Sequence, residues 1–151
     1  MQGITVRPMR TERGPKTDHS FILKSWLKAF KRSNSRGPIA NCSYWKAYAE
    51  TIEQIIEREN VVVLMACPDT DQDQILAYAV LESGHNRPVI HWTYTKEILR
   101  NRGLMKLLVS SVFPDEQSFY YTFKTSSCKY LSYQLAYKPD ISRKIPREKR
   151  Q

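Results

Sequence analysis

Three basic residues surround a single glycine within residues 89–112, and this arrangement could bind a phosphate group. Arg100, Arg102 and Lys106 flank Gly103, between an apolar run typical of a buried strand and an amphipathic helical pattern. The first N–H groups of a helix have no partner inside the helix, and the helix dipole adds partial positive charge there. A strand that leads through a glycine-bearing loop into a helix therefore predicts an anion site.

Apolar periodicity predicts the elements that hold this loop in place. Asp18 is the predicted N-cap of the first helix, and a loop is predicted at residues 33–38. The order β-α-α-β-β-β-α-β-α predicts one α/β (α+β) domain over residues 1–138, a mixed central sheet flanked by helices, followed by a basic tail at residues 139–151. The predicted strands are residues 4–6, 61–67, 75–81, 89–95 and 118–124, and the predicted helical segments are residues 18–32, 42–58, 104–112 and 127–137.

The positive charge of the chain is concentrated at its two ends. The formal net charge is +9, and residues 1–36 carry nine Lys or Arg against two acidic residues. Residues 138–151 carry six against two, so the intervening part is close to neutral. Basic ends predict contact with an acidic protein surface or with nucleic acid, although they equally suit a solvated surface.

Composition argues against several other classes of protein. No apolar run approaches the roughly 18 residues that a membrane span needs, and the N-terminal residues lack the apolar region of a secretory signal. Cys42, Cys67 and Cys128 are odd in number and widely separated, which predicts reduced thiols, no metal site and a cytoplasmic location.

The loop and the order of elements together resemble the GNAT acyltransferase superfamily. Residues 100–105 (Arg-Asn-Arg-Gly-Leu-Met) resemble its acyl-CoA loop, (Gln/Arg)-x-x-Gly-x-(Gly/Ala), with Met105 in place of the small residue. The resemblance implies acetyl-CoA or a related acyl-CoA as cofactor, its pyrophosphate held by the loop amides and its pantetheine arm paired with the preceding strand. The cofactor-binding residues it implies are Thr93, Tyr94, Thr95, Arg100, Arg102, Gly103, Leu104, Met105 and Lys106.

The same resemblance implies a direct attack by an acceptor amine on the bound thioester. His91 and Glu82 are the candidate bases, with a satisfied sheet histidine and a solvated turn carboxylate as the alternatives. His91 alternates with Ile90 and Trp92, which predicts that it lies on the face opposite to those apolar groups. Residues 125–137 resemble the late helix and strand of the superfamily. The tyrosine that protonates the leaving thiolate there falls on Ser132, so the adjacent Tyr133 is the candidate acid.

Two function classes remain open. Arg100 and Gly103 favour an acyltransferase, whereas Met105, Ser132 and the short C-terminus favour a GNAT-fold binding or structural protein that has lost catalysis. Only 14 residues follow Tyr137, which predicts a sheet truncated at the C-terminus and an oligomer completed on that side. Small chains resembling this superfamily occur among bacteriophage proteins, which predicts such an origin and a place in the host cytoplasm or the virion.

Overall fold

A six-stranded mixed sheet forms the centre of the protein. The computed structural model describes residues 3–33, 41–123 and 133–142. The strands are β1 (Ile4–Pro8), β2 (Val61–Pro68), β3 (Ala77–Glu82), β4 (Val89–Thr95), β5 (Ser118–Tyr121) and β6 (Gln134–Tyr137). The helices are α1 (Asp18–Ser33), α2 (Asn41–Ile56) and α3 (Leu104–Val112), with short 3-10 turns at Glu97–Leu99 and Pro139–Ile141.

The strands lie in the sheet in the order in which they occur along the chain. β1 to β4 pair antiparallel with their neighbours, and β5 and β6 continue the sheet in parallel pairs. The pairing of β4 with β5 is confined to two positions, Val89 with Tyr120 and Ile90 with Tyr121. The prediction of a mixed central sheet flanked by helices is therefore confirmed.

Helices cover both faces of the sheet, because its central strands are apolar on both sides. On the α1/α2 face, Trp26 of α1 stacks on Trp92 of β4 with ring centroids 5.4 Å apart. On the α3 face, Leu104 and Leu108 pack against residues of β3, β4 and β5. The whole of β3 is buried between the two layers. Within the described residues, no helix combines the length and apolar character that crossing a membrane requires.

The first helix is capped by Thr17 rather than by Asp18, contrary to the prediction. The Ser20 amide donates to Thr17 Oγ1 at 3.2 Å, so the threonine supplies the cap. The carboxylate of Asp18 is instead turned towards β1, where Arg7 donates to both of its oxygens at 2.6 and 3.0 Å. Burial works to raise the pKa of Asp18, but its hydrogen bonds with Arg7 and the Arg10 amide hold that pKa below its ordinary value.

Several predicted boundaries and one predicted element type differ from the structure. The strand predicted at residues 118–124 ends at Tyr121, and the strand predicted to begin at residue 75 begins at Ala77. Residues 134–137, predicted as helical, form β6, whose backbone pairs with β5. Residues 127–132 of that predicted helix and residues 34–38 of the loop predicted at 33–38 lie outside the described residues, and Ser33 is the last residue of α1. The predicted domain boundary after residue 138 stays a prediction, and Ile141 just beyond it is buried.

We expect Asp18→Asn to lower the free energy of unfolding by about 3 kcal/mol, because it leaves the charge of Arg7 buried without its partner. Urea denaturation measures this change. Asp73→Asn is the matched control, since it removes the exposed ion pair between Arg10 and Asp73. The free energy of unfolding of Asp73→Asn should stay within about 1 kcal/mol of that of the parent protein. Equal losses from the two substitutions would contradict the assignment of Arg7 and Asp18 as a buried structural pair.

Candidate functional site

A β-bulge in β4 sets the position of His91. Val80 of β3 pairs with Trp92 and Leu81 pairs with Ile90, so His91 has no partner residue in β3. Ile90 consequently packs on the α3 face and Trp92 on the α1/α2 face. The predicted alternation, with both apolar neighbours opposite His91, is wrong because the inserted residue changes the phase of the strand.

The bulge brings His91 against Glu82, and the two candidate bases lie in one hydrogen-bonded group. His91 Nε2 is 2.6 Å from Glu82 Oε1, and His91 Nδ1 is 2.8 Å from Thr122 Oγ1. Arg58 Nη1 donates to Glu82 Oε1 at 2.9 Å, and His85 Nε2 lies 2.6 Å from Glu82 Oε2. We call these five residues the Glu82 cluster. Glu82 is 6 % exposed, so the interpretation of a solvated turn carboxylate is wrong.

The surroundings of Glu82 keep it ionised and His91 neutral. Burial works to raise the pKa of Glu82, but hydrogen bonds from His91, His85 and Arg58 outweigh it and hold the pKa at about 2. Burial lowers the pKa of His91, and its hydrogen bond with Glu82 opposes this only in part. The result is a buried carboxylate that orients a neutral imidazole.

Sequence reasoning did not assign a role to Arg58, His85 or Thr122. The β3–β4 turn passes through Gly84, whose φ of +93° favours glycine, and this turn brings His85 back to Glu82. A Cβ added at Gly84 would lie only 2.8 Å from Asn60 Nδ2. The sequence feature that could have indicated a contact between His85 and Glu82 is their spacing of three residues. Arg58 and Thr122 reach the cluster through tertiary packing, for which the sequence offers no local pattern.

The basic loop after β4 forms the start of α3 as predicted. Gly103 is the N-cap with φ +81°, and no side chain caps the helix. Arg100, Arg102 and Lys106 are exposed around this uncapped start, and Arg100 Nε lies 3.4 Å from the Thr95 carbonyl. No acidic residue lies in the first turn of α3. The helix start thus offers free N–H groups and three cations to an anion.

The remaining residues predicted to bind the cofactor lie on β4 and in the first turn of α3. Thr93 is buried on β4, and Tyr94 and Thr95 after it are half-buried. Leu104 is buried, and Met105 packs against the α3-face core. The side chain of Met105 therefore contributes to the core, which reduces the space it takes in the loop.

Tyr133 lies in a different part of the molecule from the two candidate bases. Its ring packs on Phe119 with centroids 4.7 Å apart, in the core of the α3 face. Glu82 is held from the other side of the sheet by Arg58, which follows α2. Burial raises the pKa of Tyr133, which makes its hydroxyl a weaker acid. The structure thus joins His91 with Glu82 but does not bring Tyr133 to them.

A groove of about 660 Å³ lies at the start of α1. Phe21 forms part of its wall and makes an edge-to-face contact with Tyr94, with centroids 5.4 Å apart. Its charged side chains include the paired Arg10 and Asp73. The groove holds no converging set of reactive groups, and within the described residues no cluster of His, Cys, Asp and Glu could hold a metal ion. Of the two features, the Glu82 cluster is the one that brings a carboxylate, two imidazoles and a hydroxyl within hydrogen-bonding distance of one another.

Comparison of the structure with solved structures identifies the fold. A protein described as a "putative acetyl transferase" from Pyrococcus furiosus has a similar structure, with a TM-score of 0.59 and 11% identity over 89% of this chain and 81% of that chain. A "predicted acetyltransferase" from Clostridium acetobutylicum, solved with acetyl-CoA, gives a TM-score of 0.51 and 12% identity over 89% and 80%. No family model and no curated protein matches the sequence. The chain has the GNAT fold, as the order of its elements predicted.

We expect the stability of the protein to fall as the pH is lowered from about 4.5 towards 2. The folded-state pKa of Glu82 is about 2 against an ordinary value of 4.5, so the unfolded chain takes up the proton first. The stabilisation, about 3 kcal/mol, is complete above the unfolded pKa and is lost as the pH falls through the folded one. The depressed pKa of His91 acts in the same direction, starting from its ordinary value of 6.5.

Denaturation at a series of pH values measures this dependence. Glu82→Gln should flatten the part of the curve between pH 4.5 and 2, which spans the ordinary and folded-state pKa values of Glu82. Glu97→Gln, in the exposed 3-10 turn, is the control and should leave the curve unchanged. An unaltered slope in the Glu82 variant would refute the ionised state assigned to this carboxylate.

Proposed function

We propose that this protein is an acyltransferase that moves an acetyl or related acyl group from an acyl-CoA to an amine acceptor. The observation that carries the proposal is the uncapped start of α3, with Arg100, Arg102 and Lys106 exposed beside Gly103. An acyl-CoA contains a pyrophosphate, which is the kind of anion that free helix N–H groups and nearby cations bind. The GNAT fold and the acetyl-CoA in the structure from Clostridium acetobutylicum support the same ligand class.

The neighbouring part of β4 suits the rest of an acyl-CoA. Its pairing with β5 covers only Val89 and Ile90, so among the described residues the following part of β4 pairs with β3 alone. Backbone groups along Thr93, Tyr94 and Thr95 are therefore available on the other side to the amide groups of an extended pantetheine arm. Leu104 and Met105 belong to this proposed site through their backbone N–H groups.

The Glu82 cluster supplies the basic group that amine acylation needs. An acceptor amine must lose a proton to become nucleophilic, and neutral His91 held by ionised Glu82 is a base in the correct protonation state. Tyr133 stays a prediction as an acid for the leaving thiolate. The acceptor is proposed only as an amine, because no charged group specific to one acceptor class converges on the cluster.

The alternative of a binding or structural protein, including one of bacteriophage origin, also stays a prediction. It depends on the basic termini, and residues 143–151 lie outside the described part of the chain. Three further statements also stay predictions: a cytoplasmic location, an oligomer, and contacts with an acidic protein or nucleic acid. The uncapped α3 start and the Glu82 cluster favour the acyltransferase.

We expect acetyl-CoA to raise the melting temperature of the protein. A ligand at about 100 times its dissociation constant stabilises the native state by about 2.7 kcal/mol, which corresponds to several degrees. Lys106→Glu should remove most of this shift, because it places a carboxylate among the proposed phosphate ligands. Lys28→Glu on α1 makes the same change of charge at another exposed position and should keep the full shift.

A second ligand separates the pyrophosphate contact from the rest of the site. S-acetylpantetheine has the thioester and the arm but no pyrophosphate, so any shift it causes should be the same in the parent and in Lys106→Glu. Absence of a shift with millimolar acetyl-CoA in the parent protein would sink the acyl-CoA assignment. Differential scanning fluorimetry is sufficient for all of these comparisons.

A further inference from the structure

The groove at the start of α1 lies next to the strand that is proposed to hold the pantetheine arm. Phe21, which forms part of its wall, contacts the ring of Tyr94, and Tyr94 lies beyond the two positions at which β4 pairs with β5. We propose that this groove binds the acceptor, and that the acceptor is a small amine that also carries a carboxylate. The inference rests on the proposed acyl transfer and adds the chemical class of its second substrate.

Half of the charged side chains that line the groove have partners within the fold. Arg10 is paired with Asp73, and both lie along the groove. Asp18 also lies there, but Arg7 donates hydrogen bonds to both of its oxygens. These side chains compensate one another, so they offer a ligand no net charge.

The other charged side chains along the groove are Glu12, Lys16 and Lys24, and all three are exposed. Among the described residues, none of the three makes an ion pair with another side chain. The ammonium group of a lysine donates charge-assisted hydrogen bonds to a carboxylate, and the carboxylate of Glu12 accepts them from an amine in its ammonium form. The groove therefore has complementary charges for both ends of an aminocarboxylate, and its surplus of positive charge favours the anionic end.

The walls between these charges are apolar and are held in place by the core. Phe21 and Ile75 line the groove and also pack against the core of the α1/α2 face. The groove volume of about 660 Å³ lies in the range of small-molecule sites, which combine apolar walls with a few polar groups. A short hydrocarbon chain that joins an amine to a carboxylate matches this lining.

The backbone of Lys16 adopts a conformation that lysine rarely takes. Its φ is +62°, in the left-handed region that favours glycine and asparagine. Such a conformation costs stability and occurs often at binding sites, whereas a solvated surface lysine does not require it. Among the described residues, the other non-glycine residue with a positive φ is Asn101 in the basic loop. The two unusual backbone positions thus lie at the two proposed binding sites.

Acyl transfer to such an acceptor needs no further group. The amine nitrogen loses a proton and bonds to the thioester carbonyl carbon, and the C–S bond breaks. The thiolate of CoA takes up one proton, so the products are an N-acyl aminocarboxylate and the free thiol. Acylation removes the positive charge of the amine, so the product loses its attraction to Glu12 and is released more readily than the substrate.

The test compares three amines of similar length whose other ends differ in charge: ε-aminocaproate, hexylamine and hexamethylenediamine. Each is offered together with acetyl-CoA, and the CoA thiol that is released gives kcat/KM for each acceptor. The parent protein should prefer ε-aminocaproate to hexylamine at least about tenfold, through a lower KM, and should use the diamine least. The preference should weaken as salt is added, because the attracting charges are exposed.

Lysine variants connect this preference with the groove. Lys16→Asn and Lys24→Gln should each lower the ratio of kcat/KM for ε-aminocaproate to that for hexylamine about fivefold, and asparagine is compatible with the φ of residue 16. Lys24→Glu should reverse the order, so that the diamine is preferred to ε-aminocaproate. Lys28→Gln is the matched control and should keep the ratio of the parent protein, since Lys28 is also exposed on α1 but does not line the groove.

The outcomes separate this inference from the proposed function. Equal kcat/KM for all three amines, or a ratio that the lysine variants leave unchanged, would overturn the groove assignment and leave the acyltransferase standing. If no amine is acetylated, the melting temperature with ε-aminocaproate alone decides. A rise in the parent protein that Lys24→Gln reduces supports the groove as the site of this ligand class and overturns the transfer reaction, whereas no rise overturns the groove assignment.

Discussion

The buried carboxylate of Glu82 is the constraint on which the arrangement of the site depends. Its two oxygens accept hydrogen bonds from groups that follow α2, lie in the β3–β4 turn and lie in β4. The network continues through Arg58 to the Ser142 carbonyl and through His91 to Thr122 after β5. One charge therefore joins segments from across the chain, and removing it would weaken the hydrogen bonds of the buried His91 and of the half-buried Arg58 and His85.

The second constraint is the change in pairing halfway along β4. The strand pairs with β3 on both sides of the bulge at His91, but with β5 only at Val89 and Ile90, the two residues before the bulge. A bulge increases the local twist of a strand and redirects its side chains. In this protein the bulge turns the side chain of His91 into the layer that also contains Trp92, next to the position where the pairing with β5 ends. The same feature thus sets the position of His91 next to the end of the pairing between β4 and β5.

Most of the fold could be predicted from the sequence, because its helices and strands carry clear apolar periodicities and occur in a diagnostic order. The basic loop could also be predicted, since its residues are contiguous. The pairing of His91 with Glu82 could not, because it depends on a one-residue shift between strands that alternation alone does not reveal. The burial of Glu82 was hidden by Ser83 and Gly84, which suggest a solvated turn. Arg58 and Thr122 are distant in sequence, so only tertiary packing brings them to the cluster.

Two buried ionic groups among the described residues differ in what they hold in place. Burying charge is costly, and apolar residues of similar size often stabilise a fold equally well. The pair of Arg7 and Asp18 has a structural explanation, since Asp18 accepts a hydrogen bond from the Arg10 amide just after β1 and Arg7 donates to the Gln72 carbonyl. The Glu82 cluster also holds backbone, through Arg58 and the Ser142 carbonyl, and its other branch passes through His91 to the hydroxyl of Thr122, next to the end of the β4–β5 pairing. Both ring nitrogens of the buried His91 have a partner, Glu82 on one side and Thr122 on the other, so the cluster satisfies its own polar groups while it holds a neutral imidazole in a fixed orientation.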